Sequence, residues 1–221
     1  MGLALLRLCR EEVASGLVVS AAVAQLAPDV AGIPGFASNA LARVPEFDVA
    51  IDFSLPQGFD AILALCTARG AALVSGTTGL SEAQQQALDA AASTIPIVWA
   101  SNFSLGVAVL HDLVARAAGL LPGWDCDIVE SHHVHKQDAP SGTALTLGAS
   151  AQAAGATPRY ASIRAGDIVG EHLVQFTGLG ERIELVHRAS NRDIFARGAL
   201  HAARRLHGRA AGRYRVADLL E

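Results

Sequence analysis

Short apolar segments that alternate with helical segments constrain the fold of this 221-residue chain more than any other feature. They read LVVSAAVA from Leu17, FDVAIDF from Phe47, AALVS from Ala71 and IPIVWA from Ile95. Continuous apolar runs of strand length are typical of strands covered on both faces, as in parallel sheets. The alternation therefore predicts an α/β fold with a Rossmann-like, doubly wound parallel sheet.

Beyond Trp124 the pattern changes. The segments RYASIRA, EHLVQFT and ERIELVHRA alternate polar and apolar residues and are joined by short glycine-containing turns. Such alternation indicates strands with only one buried face. We therefore expect a second, smaller α+β domain with an open mixed sheet, before a helical pattern returns at Asn191.

A polar loop of unusual composition runs from Glu130 to Ala144 and reads ESHHVHKQDAPSGTA. Three imidazoles and one ammonium group arrive together where a predicted strand ends. The Ser-Gly-Thr stretch at the other end of the loop begins a predicted helix, whose first N–H groups carry partial positive charge and favour anions. The loop therefore predicts a site for a small polyanion beside a proton donor.

This string resembles the signature of the dihydrodipicolinate reductases of bacterial lysine (diaminopimelate) biosynthesis, E-x-H-H-x-x-K-x-D-A-P-S-G-T-A, and matches every fixed position. The resemblance implies a reductase that transfers hydride from NADH or NADPH to 4-hydroxy-tetrahydrodipicolinate, a small cyclic dicarboxylate. It also implies a cytoplasmic homotetramer assembled through the mixed sheet.

The resemblance assigns roles to individual residues of the loop. His132 is expected to be the catalytic acid, since a histidine with a pKa of about 6.5 can deliver a proton at neutral pH. Lys136 is expected to donate a proton and to polarise the imine nitrogen. The predicted substrate-binding residues, which would contact the carboxylates, are His133, Ser141, Gly142 and Thr143.

Two further turns follow predicted strands at their carboxyl ends, where ligands bind in open α/β sheets. By resemblance they hold the nicotinamide, through Gly76, Thr77 and Thr78 at one turn and Ala100, Ser101, Asn102 and Phe103 at the other. Ala24 and Gln25 occupy the position where a carboxylate normally binds the ribose of NAD or an arginine accepts the 2′-phosphate of NADP, and neither residue is charged. The choice between NADH and NADPH therefore stays open.

The family comparison also divides the chain. Residues 1–104 and 193–221 are expected to form the dinucleotide-binding domain, and residues 105–192 the substrate-binding and oligomerisation domain. A dinucleotide-binding unit normally begins with a strand and a glycine-rich loop, whereas this chain begins on a predicted helix. Met1 corresponds to the end of that loop and is the remaining predicted cofactor contact there. We expect Met1 to be an internal methionine of a longer reading frame.

Three alternatives remain open. The chain could be a degenerate paralogue retained for oligomer assembly, or another NAD(P)-dependent dehydrogenase of the same two-domain plan. His132, His133 and His135 could instead bind a metal, although their spacing on an irregular loop disfavours this. A net charge of −4 gives no basic surface for nucleic acid, and no apolar run reaches the length of about 18 residues needed to span a membrane. Three cysteines without metal-binding spacing are typical of a reducing cytosol.

Overall fold

The computed structural model describes residues 1–11 and 16–220. The chain divides into two compact units, one formed by Met1–Phe103 with Phe195–Glu221 and the other by Ser104–Ile194. The assignment of residues 1–104 and 193–221 to a dinucleotide-binding domain, and of residues 105–192 to a substrate-binding and oligomerisation domain, stays a prediction. Each unit has its own sheet system and is described by itself.

The first unit follows the alternation of strands and helices that the sequence predicts. Its helices are α1 Gly2–Glu11, α2 Pro56–Arg69, α3 Glu82–Ala91 and the greater part of α6 Asp193–Leu206, with 3-10 turns at Ser38–Arg43 and Val216–Leu219. Its strands are β1 Ala22–Ala24, β2 Gly35–Ala37, β3 Val49–Asp52, β4 Ala72–Ser75, β5 Pro96–Trp99 and β10 Gly212–Tyr214.

All strand pairs of the first unit are parallel, as predicted, but they form two sheets. One has the order β10-β5-β4-β3, and the other is the pair β1-β2. The prediction of a strand from Leu17 to Ala24 is too long, because β1 has only the three-residue β2 as its partner. β2 lies in a segment rich in proline and glycine, a composition that predicts a loop. The length of a strand depends on the hydrogen bonds of its neighbour, and a single segment does not reveal that neighbour.

The core of the first unit lies around β4, whose four residues are all buried. Phe59 and Leu63 of α2 and Leu88 of α3 pack against the sheet there. Helix α3 begins with the capping box that the sequence predicts, since Ser81 Oγ accepts from Gln84 N and Gln84 Oε1 accepts from Ser81 N. Gly70 ends α2 in the left-handed conformation, at φ 63°. The predicted end of α1 just before Gly16 falls in residues 12–15, outside the described chain.

The second unit contains α4 Leu105–Leu120, β6 Asp125–His132, α5 Gly142–Ala153, β7 Pro158–Arg164, β8 Glu171–Gly178 and β9 Glu181–Arg188. Its mixed sheet has the order β7-β6-β8-β9, in which only the β6-β7 pair is parallel. Along β6 and β8 buried and half-buried residues alternate. Ile128, Val174 and Phe176 of the buried set pack with Leu147 of α5 and Val114 of α4. The predicted one-sided sheet is therefore confirmed.

Among the helices of the described residues, none combines the length and the apolar character that crossing a bilayer requires.

Candidate functional site

The predicted catalytic loop connects two regular elements of the second unit. It leaves β6 at His132 and enters α5 at Gly142, with Ser141 as the N-cap. Ser141 Oγ accepts a hydrogen bond from Ala144 N at 3.2 Å. The strand and the helix therefore fix both ends of the loop.

His132 is 8% exposed and anchored by one nitrogen. Its Nδ1 lies 2.5 Å from Glu130 Oε2. Within the described ranges no group hydrogen-bonds Nε2, and a Cβ built on Gly170 would lie 3.0 Å from that atom. Burial lowers the pKa of His132, and hydrogen bonding to Glu130 opposes that shift. His132 is therefore an imidazole held by Nδ1, and its Nε2 is the nitrogen left without a hydrogen-bond partner among the described residues.

Lys136 and Asp138 form an ion pair on the same loop, with 2.8 Å between Nζ and Oδ1. The hydrogen bond from Lys136 lowers the pKa of Asp138, assisted by the backbone of Asp138 and Gly142. Asp138 thus shapes the loop. Its carboxylate also marks a position where a negative charge is stabilised by Lys136 and by the start of α5.

The other predicted substrate contacts differ in exposure. His133 is half-buried and His135 is exposed, with their ring centroids 6.2 Å apart. Gly142 is exposed, and a Cβ added there would have no atom within 4 Å. Open space at the first residue of α5 leaves room for a ligand to approach the main chain.

Glu130 lies at the centre of the site, and its role does not follow from the sequence pattern. It is 1% exposed, and both of its oxygens accept hydrogen bonds. Oε1 accepts from Ser141 N at 3.2 Å and from Arg164 Nη2 at 2.7 Å, while Oε2 accepts from Arg164 Nη1 at 2.8 Å. Burial would raise the pKa of Glu130, but hydrogen bonds from Arg164, Ser162 and His132 outweigh it and hold that pKa at about 2.

His172 is a second residue whose part in the site could not be read from sequence. In the antiparallel register it lies directly opposite Glu130. Its ring meets the His132 ring edge to face, with the centroids 5.3 Å apart, and its Nε2 lies 3.1 Å from Ser141 Oγ. It is 4% exposed, and its Nδ1 is buried without a partner among the described residues.

Burial lowers the pKa of His172 to about 4, with smaller effects from His132 and His187. An unfolded histidine titrates near 6.5, so protonation favours the unfolded chain between these two values. We expect the free energy of unfolding to fall as the pH drops from about 6.5 to about 4, with His172 contributing at most about 1.4 kcal/mol per pH unit. Urea unfolding of the wild type and of His172→Asn across this range checks the expectation, which a pH dependence unchanged by the substitution would contradict.

The predicted cofactor residues lie in the first unit, at the carboxyl ends of β4 and β5. Thr77 is 1% exposed, and its hydroxyl donates to Asp52 Oδ2 at 2.8 Å. Trp99 Nε1 donates to the carbonyl of Thr77 at 2.8 Å. The side chain of Thr77 therefore fixes the turn, and the turn presents its main chain and the exposed Thr78.

The second predicted cofactor turn, residues 100–103, likewise has one residue fixed by packing and another that is exposed. Phe103 is buried and packs edge to face against Phe53 at 5.7 Å, while Ser101 is exposed. Two rigid turns with exposed tips at the carboxyl edge of a parallel sheet fit the nicotinamide end of a dinucleotide. That the two sets of predicted residues, one in each unit, face one another stays a prediction.

Two protein-family models match this chain. The model described as dihydrodipicolinate reductase, N-terminus, matches residues 1–103, and the model described as dihydrodipicolinate reductase, C-terminus, matches residues 106–220. Together they cover almost the whole chain.

Individual relatives agree with these models. A 4-hydroxy-tetrahydrodipicolinate reductase of Stenotrophomonas maltophilia strain R551-3 is 71% identical over 224 residues, covering 100% of this chain and 93% of the relative. The enzyme of that name from Xylella fastidiosa strain 9a5c is 66% identical over 223 residues, with the same coverage. The fold resembles that of a dipicolinate-bound dihydrodipicolinate reductase from Paenisporosarcina sp. TG-14, at a TM-score of 0.74, 22% identity, and coverage of 88% of this chain and 82% of that chain.

Proposed function

Because the chain belongs to the dihydrodipicolinate reductase family, we propose that it reduces 4-hydroxy-tetrahydrodipicolinate to tetrahydrodipicolinate in diaminopimelate and lysine biosynthesis. The observation that carries the proposal is the sharing of the Glu130 carboxylate between His132 and Ser141. One buried group thereby joins the proton donor to the helix start that is to receive a substrate carboxylate.

The chemistry requires a hydride and a proton. NADH or NADPH, when bound, supplies the hydride to the conjugated imine that remains after loss of water. His132 releases the proton from Nε2, and the proton quenches the electron density that hydride addition leaves on the substrate. Lys136 lies on the same loop and polarises the imine nitrogen through its ammonium group.

The start of α5 binds one carboxylate of the substrate. Gly142 leaves the main chain open there, and the partial positive charge of the helix terminus favours an anion. In this proposal the substrate carboxylate replaces Asp138 as the partner of Lys136 and of the helix start. His133 and Thr143 complete the carboxylate contacts. A site with these carboxylate contacts also suits dipicolinate, the dicarboxylate bound by the neighbour from Paenisporosarcina.

The cofactor binds at the two turns of the first unit. Thr78 and Ser101 at the exposed tips, together with Gly76, Ala100 and Asn102, hold the nicotinamide. Asp52 and Trp99 keep the first turn in place through Thr77. Met1 directly precedes helix α1 and is assigned to the phosphate side of the cofactor.

A coupled assay tests the proposed function. The product of dihydrodipicolinate synthase is generated in place and added to the protein, and the oxidation of NADH and of NADPH is followed by absorbance. We expect oxidation that depends on that product. No oxidation by a folded protein that binds nucleotide would favour the non-catalytic alternative, and oxidation only with other imines or oxo acids would favour a different dehydrogenase.

We further propose that the mixed sheet assembles a homotetramer. Its face away from α4 and α5 carries an apolar row across all four strands, formed by Ala161, Val129, Leu173 and Val186. Ion pairs such as Arg159–Asp127, Arg188–Glu171 and Arg182–Glu184 lie on this face. A self-complementary face of this kind suits a two-fold contact. Light scattering at micromolar concentration should give four times the chain mass, and a monomer would contradict the proposal.

We also place the enzyme in the cytoplasm. Cys66 and Cys126 are buried free thiols, and burial raises the pKa of Cys66 to about 12. Such thiols are typical of a reducing compartment. Fractionation of cells that express the natural gene tests this placement.

A further inference from the structure

We propose that Glu130 and Arg164 are positioning residues, and that the ion pair between the buried Glu130 and the partly exposed Arg164 fixes the tautomer of His132 and holds the loop that carries Lys136. The proposal rests on the proposed function for its kinetic consequence only. The tautomer itself is a property of the free protein. Neither residue needs to contact the substrate for this role.

The donors around Glu130 determine which nitrogen of His132 carries a proton. An ionised carboxylate can only accept hydrogen bonds, and the groups around this one present N–H donors from Ser141, from Arg164 and from His132. Nδ1 of His132 must therefore carry a proton. Neutral His132 then has its lone pair on Nε2, and protonated His132 releases its second proton from Nε2.

Arg164 has two functions in this arrangement. Its guanidinium neutralises Glu130 through two parallel hydrogen bonds, which allows the carboxylate to remain ionised while buried. It also donates to the carbonyls of Lys136 at 3.3 Å and of Asp138 at 2.5 Å. The same pair therefore fixes the imidazole on one side and the path of the lysine loop on the other.

The charges that face His132 come from all the elements packed around it. Glu130 on β6 favours its protonated form, whereas Lys136 of the loop and Arg164 on β7 disfavour that form. His172 on β8 contacts the His132 ring, and burial keeps His172 itself neutral at pH 7. Of these groups, Glu130 carries the negative charge. Its removal therefore leaves His132 beside the positive charges of Lys136 and Arg164.

Glu130→Gln is the substitution that isolates this role, because it keeps the shape and removes the charge. An amide must present an NH₂ group to a site that is lined with donors, so either the His132 or the Ser141 contact is lost. We expect kcat to fall by about 10- to 100-fold, the scale on which hydrogen-bond partners that orient metal-bound histidines act. The alkaline limb of the kcat profile should move to lower pH, while the KM for the nucleotide stays unchanged.

A spectroscopic measurement tests the proposal without turnover. Nitrogen-15 NMR of histidine-labelled protein should show neutral His132 protonated at Nδ1 in the wild type, with His132→Asn used for assignment. In Glu130→Gln the proton should move, wholly or in part, to Nε2. Glu82→Gln serves as the control, because Glu82 is an exposed glutamate of α3 in the first unit and belongs to none of the proposed sites. It should change neither the spectrum nor the pH profile.

The two proposals fail in different ways. Wild-type protein with Nδ1-protonated His132 but no reductase activity would sink the proposed function and leave the positioning role intact. An unchanged tautomer and an unchanged pH profile in Glu130→Gln would overturn the positioning role. If Glu130→Gln does not fold, the double variant Glu130→Gln with Arg164→Gln removes both charges of the ion pair. The nitrogen-15 NMR spectrum and the kcat pH profile are then measured on the double variant, with the same expected shifts.

Discussion

Replacing His132 with alanine should lower turnover by about 10²- to 10⁴-fold, the usual contribution of a positioned proton donor. The variant retains every other contact of the loop, including the pairing of Arg164 with Glu130. Lys136→Ala should cost turnover on the same scale, because it removes the ammonium that polarises the imine. Both effects are measured as kcat in the coupled assay.

His135 supplies the matched control for this experiment. It lies on the same loop but is exposed, and His135→Ala should stay near the wild-type rate. Circular dichroism and nucleotide binding confirm that each variant is folded. Near wild-type turnover in both His132→Ala and Lys136→Ala would remove the catalytic assignment.

Gly198→Ala should be the most damaging single-methyl substitution in the first unit. A Cβ on this residue of α6 would lie 1.7 Å from the carbonyl oxygen of Phe103 and 2.8 Å from its carbonyl carbon. Main-chain atoms cannot rotate away, so the helix or the turn must move. We expect a loss of about 1 to 3 kcal/mol or more in the free energy of unfolding, measured by urea denaturation. The affinity for the nucleotide should fall as well, because Phe103 belongs to the second cofactor turn.

Gly119 provides the opposite case. It is also a helical glycine, near the end of α4, but a Cβ there meets no atom within 4 Å. Gly119→Ala should therefore stabilise the chain by about 0.5 to 1 kcal/mol, through the lower conformational entropy of the unfolded state. Equal stability of the two variants would show that the close approach of α6 to Phe103 is not a constraint.

The sequence predicted those parts of the structure that depend on local pattern. The apolar runs of β3, β4 and β5, the capping box at Ser81 and the one-sided alternation of β6 and β8 all follow from spacing along the chain. The histidine loop was likewise visible as one continuous string. These features are local, so a single sequence contains them.

The remaining parts depend on contacts between distant segments. Glu130 meets His172 because β6 and β8 pair in one particular register, and Arg164 reaches Glu130 from β7. A change of register by one residue would turn these side chains to the other face of the sheet. Local pattern does not fix that choice, so neither the place of His172 beside Glu130 nor the Glu130–Arg164 ion pair follows from the sequence.

Thr77 illustrates a second limit. The sequence indicated a cofactor contact at this turn, and the structure shows a hydroxyl that is buried on Asp52, 25 positions earlier. Whether a threonine presents its hydroxyl outwards or inwards depends on the neighbouring strand. The position of a turn is therefore easier to predict from sequence than the role of each side chain within the turn.

A crystal structure of the protein with dipicolinate would test most directly the claim that the segment from Ser131 to Thr143 is the substrate site. We predict one carboxylate of the ligand at the start of α5, against Gly142 and Thr143, and the ring within reach of His132 Nε2 and Lys136 Nζ. Ligand bound elsewhere, with the loop and the Lys136–Asp138 ion pair unchanged, would contradict the account.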